Sequence, residues 1–400
     1  MNLTSTNNRQ LDGPILLILI AFSIISLVFI YSSQQTGQYG AHNFALKQGI
    51  NYIIGFTLLI CVAKLDIDQI EQLAWPSYII LFISIILIRV APNSIAPEIL
   101  GAKRWYSIPV IGSIQPSEYF KISLILLTAK LISQHNQKHL ARTFQSDLML
   151  VGKILLITIP PSLVVYQQPD TGMVVLYLIA ISSMLFLSGL NRKLVALSVL
   201  VPVLLASVLV YLYFFKPDIV YDQLIPLLKP HQQERIIGWL DPYENKNQAY
   251  QSQRSMLAVG SGQVLGKGIK EGKVYIPEKH TDFIFATIAE EGGFMIGSIV
   301  ILLFLLLIYR IIRIGLKSQT DFGMYICTGL TFSLSLQIFQ NIGMVIGIMP
   351  VKGMALPFLT YGGSSLFTNM IFLGMILSIS KTLSAYSFQN SSKVLNNQLY

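Results

Sequence analysis

Residues 282–309 read DFIFATIAEEGGFMIGSIVILLFLLLIY, an acid followed by a run that is largely apolar. A helix needs about 20 apolar residues to cross a bilayer, so the run predicts a membrane helix over residues 285–309. A long polar stretch rich in Gly and Lys, residues 216–284, precedes it. Asp282 therefore stands at the border between a polar segment and the membrane.

The position of Asp282 allows two roles. A carboxyl that is partly desolvated at such a border can hold a raised pKa and act as a general base. Thr281 and Asp282 are also residue types that cap the N-termini of helices well. The residues alone leave both interpretations open.

The rest of the chain is also strongly apolar. Of its 400 residues, 53% are hydrophobic and 12% are charged, and the mean hydropathy is +0.61. A backbone in lipid must satisfy its own hydrogen bonds, so the apolar runs predict helices. We therefore predict an all-α integral membrane protein with about ten transmembrane helices, near residues 14–33, 46–63, 75–91, 118–134, 148–166, 173–189, 194–215, 285–309, 324–347 and 365–384.

We treat residues 1–400 as a single polytopic membrane domain, in which residues 216–284 form a long loop between the seventh and eighth helices. The net charge of +9 is spread over the loops and forms no basic patch laced with aromatic residues. We therefore expect no nucleic-acid partner, and a position near anionic lipid.

Short basic loops predict the orientation, because Lys and Arg favour the cytoplasmic side. The loops after the fourth, sixth and eighth predicted helices are basic, with Lys130, Lys138, Arg142, Arg192, Lys193, Arg310, Arg313 and Lys317. These alternate loops share one side, so both termini are predicted to be cytoplasmic. The extracytoplasmic side then receives residues 92–117, 167–172, 216–284 and 348–364, although several of these loops are also basic.

The extracytoplasmic loops hold most of the residues that suggest chemistry. Lys103 and Arg104 beside Trp105 are typical of an interfacial anchor. Glu118 and Lys121 lie three residues apart on one helical face and can form an ion pair. Charges at membrane depth usually have a function, and the alternative is a buried pair that only fixes helix packing.

Two further loops indicate a cavity. Asp170 follows Pro169 in a very short loop, where it can cap the next helix or provide a second acid to an outward cavity. Residues 348–364 contain two prolines and several glycines that break a helix at membrane depth. Irregular backbone is tolerated there only against protein or a water-filled cavity.

Several of these segments, in their order and spacing, resemble the SEDS family of bacterial cell-wall proteins over nearly the whole chain. The motifs are Gly101-Ala-Lys-Arg-Trp105, Gln115-Pro-Ser-Glu-x-x-Lys121, Gln168-Pro-Asp170-x-Gly172, Trp239-Leu-Asp-Pro242, Ala258-Val-Gly-Ser-Gly262, His280-Thr-Asp-Phe-Ile-Phe-Ala286 and Leu356-Pro-Phe-Leu-Thr-Tyr-Gly-Gly-Ser364. One departure is Gln263, which stands where the family motif closes with a second glycine.

The resemblance implies a peptidoglycan glycosyltransferase of the bacterial inner membrane that polymerises lipid II at an extracytoplasmic site. The essential acid of the family falls on Asp282, which would be the general base. The lipid-linked glycan and lipid II carry diphosphates, and the candidate binding residues are Arg104, Lys103, Arg235, Lys267, Glu118, Lys121 and Asp170. The family works with a class B penicillin-binding protein, a transpeptidase, and with other membrane proteins of the elongation complex.

The motifs Lys229-Pro-x-Gln-x-Glu-Arg235 and Pro277-Glu-Lys-His280 favour the elongation branch (RodA-like) over the division branch (FtsW-like). A lipid II flippase and a non-catalytic scaffold are the other interpretations, and the charges of Glu118, Lys121 and Arg89 would suit a flippase. The sequence contains no His/Cys metal cluster. No cofactor is implied with certainty, and a divalent cation held by carboxylates on the diphosphate stays open.

Overall fold

The computed structural model describes residues 12–35, 43–99, 101–108, 112–242 and 246–397. Within these ranges the chain forms thirteen α-helices: α1 (Gly13–Gln34), α2 (Phe44–Lys64), α3 (Ile67–Gln72), α4 (Ala74–Val90), α5 (Pro116–Lys138), α6 (Phe144–Gln167), α7 (Thr171–Leu187), α8 (Arg192–Phe215), α9 (Pro230–Leu240), α10 (Lys246–Ser261), α11 (Ile284–Lys317), α12 (Asp321–Val345) and α13 (Gly363–Asn397). Two short strands, β1 (Tyr106–Ile108) and β2 (Gly112–Ile114), pair antiparallel between α4 and α5.

Ten of these helices coincide with the ten predicted spans. Seven are long and apolar enough to cross a membrane, namely α1, α2, α6, α8, α11, α12 and α13, counted over the described residues. The helices α4 and α7 are apolar but shorter, with 17 residues each. Helix α5 has 23 residues and carries Glu118 and Lys121 near its start. The prediction of an all-α membrane protein is confirmed.

The core of the bundle is built from α5, α12 and the described part of α13, which bury most of their residues, together with α7, which buries about half of its residues. Helix α12 packs against α7 and α11, α13 packs against α2, and α5 packs against α4. Small residues permit this close approach, since a Cβ added at Gly329 of α12 would lie 2.6 Å from the Sδ of Met184 on α7. Helix α8, in contrast, buries none of its side chains.

The eighth predicted span needs a correction at its start. Gly293 interrupts α11 with φ 66° and ψ −168°, and residues 284–293 are buried in protein. Exposure to the surroundings begins at Phe294, which is 72% exposed. The membrane-facing part of this helix therefore begins at about residue 294 and not at residue 285, which hydropathy could not show because a protein interior is as apolar as lipid.

The polar stretch 216–284 is largely ordered and packed onto the bundle. It contains α9, α10 and a segment of turns and irregular backbone that runs from Gly262 to Phe283, and α10 contacts both α11 and α12. The start of that segment lies along the kink of α11, because Phe294 N donates to Gln263 O at 2.9 Å. Gln263, the departure from the glycine motif, adopts the left-handed φ of 50°, which a glycine would adopt without strain.

The proposed orientation can be tested by cysteine labelling. Gln137, near the end of α5, and Glu271, in the 216–284 stretch, are both exposed, and the charge bias predicts that Gln137 lies inside and Glu271 outside. In a background without Cys61 and Cys327, an impermeant thiol reagent added to intact cells should label Glu271→Cys and leave Gln137→Cys unlabelled. Equal labelling of the two would contradict the ten-span topology.

The chain termini, residues 1–11 and 398–400, lie outside the described residues, so their cytoplasmic placement stays a prediction.

Candidate active site

Asp282 lies in a turn immediately before α11. The N-cap residue of α11 is Phe283, and no side chain caps this helix end. The interpretation of Asp282 as a helix cap is therefore wrong. Within the described part of the chain, no hydrogen bond ends on its carboxylate oxygens, so the group is available to accept a proton.

The backbone around Asp282 is held firmly. Four consecutive carbonyl oxygens, those of residues 279–282, each accept a hydrogen bond from a different group. The pairs are Lys279 O with Thr287 Oγ1 at 3.4 Å, His280 O with Tyr361 N at 3.1 Å, Thr281 O with Thr360 Oγ1 at 3.2 Å, and Asp282 O with Asn341 Nδ2 at 2.8 Å. The turn is thus anchored to α11, to α12 and to the segment that precedes α13.

A polar cavity of about 280 Å³ opens beside this turn. Three of the predicted outward loops and α9 line it, through Gly101, Ala102, Arg104, Pro169, Asp170, Thr171, Gly172, Arg235, Lys352 and Gly353. The Oδ2 atom of Asp282 lies 3.3 Å from the point that a Cβ on Gly353 would occupy. The carboxylate therefore lies against Gly353 of the cavity wall, although Asp282 is not itself a lining residue, and the absence of a side chain at residue 353 leaves it room.

Three cations surround the two acids of this site. Arg104 Nη1 lies 3.9 Å from Asp170 Oδ1, and its guanidinium stacks on Trp105 with 4.2 Å to the ring centroid. Arg104 and Arg235 both interact electrostatically with Asp282, and Lys352 interacts with Asp170. A site with this charge pattern can bind an anion while it keeps a carboxylate nearby.

Burial shifts the ionisation of both acids. Burial, with a smaller contribution from the neighbouring Glu278, raises the pKa of Asp282 to about 6, and Arg104 and Arg235 oppose the shift. Burial also raises the pKa of Asp170, against the effect of Arg104. The pKa of Lys352 is lowered, again chiefly by burial. Asp282 is thus a stronger base than an exposed aspartate and still ionised at neutral pH.

Asp170 combines the two roles that its sequence position suggested. Its Oδ1 accepts a hydrogen bond from Met173 N at 3.3 Å, so the predicted cap of α7 is confirmed. Its Oδ2 accepts from Gln115 Nε2 at 2.6 Å and from Ser117 Oγ at 3.3 Å. Because it also lines the cavity, Asp170 joins the cavity wall to the start of α5.

The other predicted binding residues are more scattered. Lys103 donates to the carbonyl of Ala91 and does not line the cavity. Glu118 and Lys121 form the expected ion pair, 3.2 Å apart and buried within α5. The prediction that Lys267 contacts a diphosphate needs correction. Its ammonium group pairs with Glu290 at 2.7 Å, and Lys267 lies outside the cavity wall.

Lys352 is the site residue that the sequence reasoning missed. The sequence placed it beside Gly353 in a segment with broken helical structure, and that segment was interpreted only as a sign of a cavity.

In the described part of the chain, no group of three or more His, Cys, Asp or Glu side chains converges as a metal site. Asp170 and Asp282 are the carboxylates beside the cavity, and a cation bound there would face them.

The fold and the site define a polytopic helical membrane protein with a charged cavity at one end of its bundle. The chain belongs to the FtsW/RodA/SpoVE family of cell cycle proteins, whose profile matches residues 13–385. The resemblance to the SEDS family is thereby confirmed.

Named relatives include members of both branches. The peptidoglycan glycosyltransferase MrdB of Escherichia coli K12 is 34% identical over 377 residues, which cover 92% of this chain and 93% of MrdB. The probable peptidoglycan glycosyltransferase FtsW of Geobacter metallireducens is 32% identical over 383 residues, with 93% and 95% covered.

Solved structures share the fold. A chain of a peptidoglycan synthase complex superposes with a TM-score of 0.73 at 24% identity, covering 93% of this chain and 98% of that one. The rod shape determining protein RodA of Thermus thermophilus gives a TM-score of 0.63 at 24% identity, with 93% and 97% covered. At this identity the likeness shows the fold alone.

Proposed function

We propose that this protein is a peptidoglycan glycosyltransferase that polymerises lipid II, with Asp282 as the general base. The observation that carries the proposal is the carboxylate of Asp282, whose pKa is raised to about 6, beside a cavity lined by Arg104, Arg235 and Lys352. A base and a group of cations are two of the three requirements of this glycosyl transfer, and the third is an apolar groove for the lipid tails. The names of the relatives agree with this chemistry.

The proposed reaction is a direct displacement. A hydroxyl of the acceptor sugar attacks the anomeric carbon of the lipid-linked donor, a C–O bond forms, and the bond to the diphosphate breaks. Asp282 takes the hydroxyl proton, while Arg104, Arg235 and Lys352 offset the negative charge that grows on the leaving diphosphate. Inversion at the anomeric carbon would give a β-linked glycan.

The cellular setting is part of the proposal. We infer that the protein lies in the bacterial cell membrane with its cavity on the extracytoplasmic side, because the basic short loops lie at the other end of the helices. Its partners would be a class B penicillin-binding protein and membrane proteins of the elongation complex. The motif around Lys229 and Arg235 favours elongation and cell-shape maintenance, and a septal role is the alternative.

The decisive test is polymerisation by the purified protein. With its transpeptidase partner in detergent, the protein should convert lipid II into glycan strands that are resolved on a gel. A flippase needs a bilayer with two sides, so polymer formed in detergent excludes flipping as the sole activity. Absence of polymer, with lipid II crossing vesicle membranes, would favour the flippase. Depletion in cells separates the branches, since loss of rod shape indicates elongation and filamentation indicates division.

The pH dependence of the wild-type rate should show one acid limb. Asp282 can accept a proton only when ionised, so turnover should fall as the pH drops through about 6. Asp170→Asn is the control because Asp170 also has a raised pKa. The limb should persist in that variant if Asp282 is the base, and its disappearance would assign the limb to Asp170.

We expect Asn341 to be needed for full turnover, although it does not line the cavity. Its Nδ2 donates to Asp282 O at 2.8 Å and to Met354 O at 2.6 Å, so one buried amide joins the Asp282 turn to the Lys352 segment. Asn341→Leu removes both bonds, and displacement of a catalytic group by about 1 Å can lower turnover about 100-fold. Gln340→Leu is the matched control, because Gln340 holds Pro350 O but not Asp282. Equal rates for the two variants would contradict this role.

A further inference from the structure

Four charged side chains that the proposed reaction does not use meet at the start of α11. We call Lys267, Lys279, Glu290 and Glu291 the buried charge cluster. Glu290 is fully buried, and Lys279 and Glu291 are 1% and 2% exposed. Buried ions are costly unless they are paired and hydrogen-bonded, and this group contains two cations and two anions. Such a cluster needs a structural reason.

Glu290 accepts hydrogen bonds from the irregular segment that leads to Asp282. Its Oε1 accepts hydrogen bonds from Lys267 Nζ at 2.7 Å, Lys273 N at 2.8 Å and Val274 N at 3.0 Å. The two backbone donors belong to residues with no regular secondary structure around them. The carboxylate thus supplies hydrogen bonds that a helix or sheet would otherwise provide.

Glu291 attaches the same segment to α1. Its Oε1 accepts a hydrogen bond from Ser32 Oγ at 2.7 Å, and Ser32 Oγ in turn accepts one from Lys270 N at 2.8 Å. The backbone adds two further bonds, from Lys267 N to Glu290 O at 3.1 Å and from Gly268 N to Glu291 O at 3.0 Å. The beginning of the segment is therefore held by both side chain and backbone.

Lys279 lies at the other end of the segment. Its buried ammonium group interacts electrostatically with both Glu290 and Glu291, and it precedes Asp282 by three residues. Residues 267–274 are therefore held on α11 by hydrogen bonds, and the attraction between Lys279 and the two carboxylates acts at the other end of the segment. Residue 279 is also the first residue of the Asp282 turn, so this segment forms the chain's approach to that turn, and the carbonyl hydrogen bonds of residues 279–282 hold its other sides.

We propose that Glu290 is a positioning residue for Asp282. By holding residues 267–274 on α11, it keeps the Asp282 carboxylate beside Gly353 and the cations of the cavity. The effect on turnover rests on the proposed function, whereas the effect on the segment does not. Among the described residues, the hydrogen bonds and the ion pair of Glu290 involve no group that lines the cavity, so we assign its action to the segment.

Two substitutions separate the hydrogen bonds from the charge. Glu290→Gln keeps an acceptor oxygen for the amides of residues 273 and 274, and Glu290→Ala removes it. We expect Glu290→Ala to lower kcat about 10- to 100-fold by misplacing the base, with the KM for lipid II within about threefold because the cavity cations stay in place. Glu290→Gln should recover most of the rate. Glu271→Ala, at an exposed acid of the same segment, is the control and should match the wild type.

Hydrogen exchange gives a readout independent of activity. In wild type, the amides of Lys273 and Val274 should exchange slowly, and in Glu290→Ala they should exchange at least about tenfold faster, since a tenfold change corresponds to about 1.4 kcal/mol of lost protection. Wild-type exchange in Glu290→Ala would overturn the proposal, as would faster exchange with unchanged turnover. A wild-type protein that makes no polymer, with exchange altered as expected, would instead contradict the proposed function and leave the attachment of the segment supported.

Discussion

Asp282→Asn is expected to lower the rate of lipid II polymerisation by roughly 10²–10⁴-fold, the usual contribution of a positioned acid or base. The substitution keeps the size of the side chain and removes its ability to take a proton. The structure removes one alternative explanation for a lost rate, because Asp282 does not cap α11. A lost cap therefore cannot explain a lost rate.

The same variant should be at least as stable as the wild type. Burial and Glu278 raise the folded-state pKa of Asp282 from 3.8 to about 6, so the ionised carboxylate disfavours the folded state. This penalty is absent below about pH 4, grows as the pH rises through 6, and reaches roughly 1–3 kcal/mol above it. Thermal unfolding in detergent at pH 8 should thus show Asp282→Asn equal to or above the wild type, with the difference vanishing toward pH 4.

Asp170→Asn provides the contrast. Asp170 accepts bonds from Met173 N, Gln115 Nε2 and Ser117 Oγ and pairs with Arg104, so its carboxylate is engaged in structure. Asparagine caps helices about as well as aspartate, and we expect a milder loss of rate than at Asp282. A protein with Asp282→Asn that polymerises lipid II at nearly the wild-type rate would remove the basis of the proposed mechanism.

The helices could be predicted because lipid imposes a simple rule on sequence. Ten apolar runs gave ten helices, since a backbone in lipid satisfies its hydrogen bonds within one segment. The same rule failed at residues 284–292, which are buried in protein. Hydropathy measures only that a segment avoids water, and the kink at Gly293 was visible only as a pair of glycines.

Site residues could be predicted where their sequence neighbours revealed their role. They were missed where the role depends on contacts between residues far apart in the chain. Asp170 follows a proline and precedes a helix, so its cap could be predicted from neighbouring residues. Lys352 and Arg235 meet at the cavity across more than 100 positions of the chain, which no local pattern shows. Lys267 was misplaced for the same reason, because its glycine-rich surroundings gave no sign of Glu290.

Single substitutions of Glu118 and Lys121 should be the most destabilising changes that we predict. Lys121 is 1% exposed, with its Nζ 3.2 Å from Glu118 Oε2, 3.5 Å from Gln337 Oε1 and 5.4 Å from the ring centroid of Phe372. Removing one partner of a buried pair leaves an uncompensated charge, which costs about 3–5 kcal/mol. Glu118→Ala and Lys121→Ala should therefore each lower the unfolding temperature and the folded yield.

The double variant decides what the pair is for. Loss of both charges removes the uncompensated ion, so Glu118→Ala/Lys121→Ala should be no worse than the poorer single variant. The measurement is thermal unfolding of the three purified variants in one detergent, with polymerisation assayed on the folded fraction. If the pair only fixes the packing of α5, the folded double variant should retain near wild-type turnover. Damage that adds across the two positions would show instead that Glu118 and Lys121 act independently.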